Sequence, residues 1–144
     1  MKIKYDYPLQ RIKKCEFFFK IQQYSLQLNK KMKISILLPY KENYSPSYAG
    51  AVSIFINDVT KESIYNKDIT IYGSTNFTKK LSKNYINIPL EKKFLISQSK
   101  DYVKKFIDIQ KNFQVDILEV HNRPIYIKDL LVIKTNLVLW TLAE

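Results

Sequence analysis

Glycine is nearly missing from this chain of 144 residues, which has 2 Gly, 1 Cys, 1 His and 1 Trp. Gly50 and Gly73 stand far apart, so neither the G-x-G-x-x-G turn of dinucleotide-binding domains nor a P-loop can be written. The G-x-S-x-G elbow of α/β-hydrolases is absent too, and with it that class of nucleophile. The lone Cys15 excludes an internal disulfide and fits a reducing compartment. One cysteine and one histidine, well separated, supply no ligand set for structural zinc, so no metal site is expected. No apolar run approaches the roughly 18–20 residues that span a bilayer. The "CEFFFK" cluster near the start is too short for a secretory signal core. The expected location is therefore the cytoplasm.

Acidic residues are also scarce, and the formal net charge is +11. More than half of that excess lies in residues 1–31. Lys, Asn, Ile, Tyr and Phe are abundant together, and all have AT-rich codons, so part of the charge reflects genome composition. Lysines spread over solvated faces are the expected arrangement. No stacked-aromatic signature and no helix-turn-helix pattern supports nucleic acid as a partner.

What is present is a regular alternation after residue 31. Residues 1–31 show no clean period and read as an N-terminal extension. Met32 is the expected natural start, and the other reading is a helix over 9–29 packing on the domain or on a partner. "KISILLP" (33–39) is a continuous apolar run closed by proline, the pattern of a strand buried on both faces. Over 51–65, Val52, Phe55, Ile56, Val59 and Ser63 recur at three- and four-residue steps, which predicts a helix. Strands are expected at 67–73, 85–90, 115–120 and 135–140. An amphipathic helix is expected over 97–113, with Tyr102, Val103, Phe106, Ile107 and Phe113 on one face, and a short helix over 124–134. Strands alternating with helices imply βαβ units, right-handed crossovers and a mainly parallel sheet covered on both faces, a Rossmann-like three-layer α/β domain.

Ligands of such sheets bind beyond the carboxyl ends of the strands. Two polar loops follow strand ends. The first, "PYKENYSPSYAG", opens a helix, and Gly50 there lets backbone N–H groups approach a phosphate. The second begins at "EVHNRP". His121 is able to move a proton near neutral pH or bind a hydroxyl. Asn122 both donates and accepts, Arg123 offers a fork for phosphate or carboxylate, and Pro124 suits the first turn of a helix. Glu119 shares a side with His121 if the strand continues that far.

"MKISILLPYKENYSPSYAGAVSIFINDV", "DITIYG" and "DILEVHNRP", in that order, resemble the N-terminal domain of family 4 glycosyltransferases of the two-domain GT-B fold, over about residues 32–140. The resemblance implies retaining transfer of a sugar from a UDP- or GDP-linked nucleotide-sugar, with no metal and no further cofactor. It implies that Ala49, Gly50 and Ala51 lie near the donor diphosphate. It places Glu119, His121, Asn122, Arg123 and Pro124 at the acceptor cleft, with His121 as the catalytic candidate. A glycan or lipid-linked acceptor is implied, as in cell-surface polysaccharide or lipopolysaccharide synthesis, with peripheral contact to the inner membrane. Two departures follow. The family's "F-H-N" or "F-H-T" stretch after the last strand is replaced by "LWTLAE". The family's C-terminal donor-binding domain is also expected to be absent. The expectation is a truncated domain, inactive alone, or one half of a split enzyme whose other half is a separate chain. Two other readings stand beside this one: a non-catalytic binding domain that docks on an anionic membrane or a partner chain, and another two-domain α/β enzyme such as a nucleotide-sugar epimerase.

Overall fold

Segments that are apolar on both faces form the strands, and segments with one apolar stripe form the helices. A computed structural model of the chain describes residues 32–90 and 97–141. The expectations for residues 1–31 and for Cys15 lie outside these. Strand β1 (Ile34–Leu37) is buried at every position. Helix α1 (Ala51–Glu62), strand β2 (Ile69–Gly73) and strand β3 (Tyr85–Asn87) follow. Helix α2 (Gln98–Gln110), strand β4 (Ile117–His121), helix α3 (Ile127–Leu130) and strand β5 (Leu137–Thr141) complete the order. All neighbouring strands are parallel, in the order β3-β2-β1-β4-β5. The expected Rossmann-like α/β fold is thus present, and the sheet is wholly parallel.

The register sorts the core into two layers. On one face Met32, Ile34, Ile36, Ile71, Ile117 and Leu139 pack with Val52 and Ile56 of α1. On the other, Leu37, Tyr72, Leu118 and Val120 pack with Tyr102, Val103 and Phe106 of α2 and with Leu130 of α3. Successive strand residues alternate between these faces, as the two-residue period requires. Asp116 ties the amino ends of three strands together. Its Oδ2 accepts from the Lys33 N–H at 2.9 Å, and its Oδ1 accepts from Asn136 Nδ2 at 3.0 Å.

Several boundaries differ from the sequence expectation. α1 ends at Glu62, and a 3-10 turn (Asn66–Asp68) takes the first residues assigned to the second strand. α2 stops at Gln110, which leaves Phe113 57% exposed rather than on the buried face. The helix expected over 124–134 is a 3-10 turn (Pro124–Tyr126) running into the single turn of α3. Pro124 does open that turn, where its missing N–H costs nothing. β4 runs one residue further than expected, so His121 is a strand residue and not part of the loop.

Candidate functional site

The strand order reverses between β1 and β4. The chain steps outward from β1 through β2 to β3, then crosses to β4 and continues to β5. At such a switch point the loops after the two adjacent strands diverge and leave a crevice. Both polar loops singled out in the sequence lie there. They meet through Tyr40, which follows β1. Its N–H donates to the Tyr126 hydroxyl at 3.4 Å, and the Arg123 guanidinium lies 6.0 Å from its ring centroid. Lys41 covers the same ring at 5.5 Å.

In the first loop, the backbone of Gly50 is extended (φ −75°, ψ 165°), so a left-handed conformation does not explain the glycine. Close approach does. A Cβ at Gly50 would lie 2.1 Å from Glu42 Oε1. That oxygen also accepts from the Ser53 N–H at 3.0 Å, in the first turn of α1. Free N–H groups and the positive end of the helix dipole favour an anion at this position. Here the anion is the chain's own carboxylate. Ala49, Gly50 and Ala51 therefore sit at the start of α1, where Glu42 occupies the first-turn N–H of Ser53. Sequence reasoning missed Glu42, because an acid nine residues ahead of a helix start carries no local signal.

In the second loop, the residues divide into an inner and an outer set. Glu119 is 2% exposed, His121 1% and Thr141 5%. Glu119 and His121 share the α1 side of β4, and His121 Nε2 lies 2.5 Å from Glu119 Oε1. The other ring nitrogen, Nδ1, lies 2.7 Å from the hydroxyl of Thr141, its register partner on β5. Phe55 of α1 packs edge-on against the imidazole at 6.3 Å. Read by hydrogen-bond chemistry, Nε2–H donates to the carboxylate and Nδ1 accepts from the threonine hydroxyl. Both nitrogens are thus engaged inside the protein, and neither faces solvent. Glu119 Oε2 has no hydrogen-bond partner. Thr141 was also missed in the sequence, since only the β4–β5 register reveals it.

The outer set follows a sharp turn. Asn122 has φ 52°, a left-handed conformation that asparagine tolerates better than most residues, and its N–H donates to the Thr141 carbonyl at 2.9 Å. The turn carries Arg123 and Pro124 to the surface, while Asn122 stays half-buried. Among the described residues, no group of three or more His, Cys, Asp or Glu is placed to hold a metal ion. No described helix is long and apolar enough to cross a membrane. Compared with family models, with curated proteins and with solved structures, the chain matches none.

Proposed function

We propose that this chain is the acceptor-side α/β domain of a retaining, nucleotide-sugar-dependent glycosyltransferase, acting in synthesis of a cell-surface glycan. The observation that carries the reading is the meeting of the two polar loops at the switch point, through Tyr40, Arg123 and Tyr126. Arg123 and Asn122 supply a cation and an amide at the mouth of the crevice, suited to a phosphate-bearing or hydroxyl-rich ligand. The helix start at Gly50 takes a donor phosphate when Glu42 swings out, because one carboxylate and one phosphate oxygen compete for the same N–H groups. In this reading His121 is a positioning residue. It fixes the end of β4 and so the direction of Asn122 and Arg123.

The test is a titration of UDP-glucose and of GDP-mannose into the chain, followed by backbone NMR, with wild type and Glu42→Ala side by side. Shifts at residues 49–51 and 122–123, larger in Glu42→Ala, are the expected result. Absence of local shifts at millimolar donor in both proteins refutes donor recognition. That outcome favours the second reading, a non-catalytic domain docking on a partner chain or an anionic surface, for which the burial of the single histidine speaks.

A further inference from the structure

The opposite end of the sheet holds an open groove with a cavity volume of about 1260 Å³. It lies between the end of α2 and the turn that leads from α3 into β5. Phe113 and Leu131 are each 57% exposed and Val132 is 69% exposed, all three on its wall. Elsewhere the exposed apolar residues stand on separate elements, such as Ile54, Ile64 and Ile125. Exposed apolar side chains that share one concavity offer a surface that a partner's apolar side chains can cover. Lys111 and Lys134 line the same groove, and none of its lining residues is acidic. Gln110 forms part of the inner wall and is 2% exposed. Its Oε1 accepts from the Ser35 hydroxyl at 3.5 Å, while its Nε2 has no partner. A buried amide donor without an acceptor is costly, and its place in a groove wall suits an incoming carbonyl or carboxylate.

We propose that this groove docks an acidic, amphipathic segment of a partner protein. Its apolar side chains cover Phe113, Leu131 and Val132, and its carboxylates face Lys111 and Lys134. The choice of occupant follows from charge and size. A second copy of this chain brings a net charge of +11 to a groove that is itself cationic. The space is larger than the about 300–1000 Å³ of small-molecule pockets, and it is open to solvent along its length. Lys111 pairs with Asp108 at 2.6 Å, but both side chains are half or more exposed, so exchanging that partner for another carboxylate loses little. The groove lies at the amino-terminal ends of the strands, away from Gly50 and Asn122, so docking here leaves the crevice open. The inference is independent of the glycosyltransferase reading.

The probe is a synthetic helical peptide of roughly 18 residues with leucines on one face and glutamates flanking them. Its control carries lysines in place of the glutamates. The expected result is saturable binding that shifts the amides of Phe113, Leu131 and Val132, leaves Asn122 unshifted and weakens with salt. Val132→Asp and Lys134→Glu, both at exposed turn positions, should keep the thermal melt of the parent and weaken binding by about tenfold each. The proposal is overturned by absence of saturable shifts, by equal binding of the lysine peptide, or by variants that bind as the parent does. Groove shifts produced by anionic vesicles but not by the peptide, or by self-association of the chain, overturn it as well.

Discussion

Glu119 stands in the middle of a row that crosses the whole sheet. Tyr85, Ile71, Ile36, Glu119 and Leu139 are register partners from β3 to β5. Replacing His121 by phenylalanine removes the N–H that donates to a buried carboxylate and leaves Glu119 without that donor. Stranding a buried charge in this way costs about 3–5 kcal/mol. The new ring packs beside Phe55, which returns about 1.5–3 kcal/mol of apolar burial. The net expectation for His121→Phe is a loss of about 2 kcal/mol, which lowers the urea midpoint by about 1 M at an ordinary slope. The triple change Glu119→Leu, His121→Phe and Thr141→Val replaces the whole buried polar set with apolar groups beside Phe55. Exchanges of that kind are neutral or stabilising by about 1–4 kcal/mol. The triple variant should therefore unfold at or above the midpoint of the parent. Urea unfolding followed by circular dichroism measures both. A single variant as stable as the parent, or a triple variant weaker than the single, refutes the account of this cluster as an internally compensated support.

Gly50→Ala should destabilise by about 1 kcal/mol in a thermal melt, since its Cβ evicts Glu42 from the first turn of α1; in a Glu42→Ala background the same change should be near neutral, because φ −75° suits alanine. Asp116→Ala leaves the Lys33 N–H and Asn136 Nδ2 without their acceptor and should cost about 2–3 kcal/mol by urea unfolding. Burial pushes the Tyr102 hydroxyl well above the ordinary tyrosine range, and its hydrogen bond to the Leu38 carbonyl spans 2.8 Å. Because its folded value is raised, its contribution is complete below about pH 10 and is lost as the pH climbs toward the folded value. Tyr102→Phe should cost about 1 kcal/mol at pH 7 and shallow the alkaline unfolding limb, with Tyr44 and Tyr85, raised in the same direction by burial, carrying the rest of it.

Periodicity made the faces of the elements legible and left their partners hidden. Val52 and Ile56, or Tyr102, Val103 and Phe106, announce a buried stripe because a helix repeats every 3.6 residues whatever it packs against. Ser53, Asn57 and Thr60 of α1 are buried as well, with no signal in their polarity. Gln110 and Asp101 of α2 behave the same way. Phe113 shows the converse. It keeps the period of α2 on paper, yet the helix has already ended, and the ring stands in solvent. Glu42 and Thr141 depend on tertiary placement, the first on how a loop folds back over a helix start, the second on strand register. Neither placement is written in local sequence.

The largest change in meaning comes from one residue of strand length. If β4 ended at Val120, His121 would open the loop as a proton carrier at the crevice. Because β4 extends through His121, the imidazole takes the two-residue alternation of the strand and turns inward beside Glu119, and β5 supplies Thr141 to its other nitrogen. The left-handed turn at Asn122 then becomes the first point where the chain can leave the sheet. The side chain that reaches the surface at this edge is consequently Arg123, over the Tyr40 ring that Lys41 also covers, with Asn122 half-buried beside it and the imidazole behind. It follows that Arg123→Ala should abolish ligand-induced shifts at the crevice while leaving the urea midpoint unchanged, because Arg123 is exposed and lies outside the hydrogen-bonded sheet. Loss of stability without loss of those shifts would return the functional weight to His121.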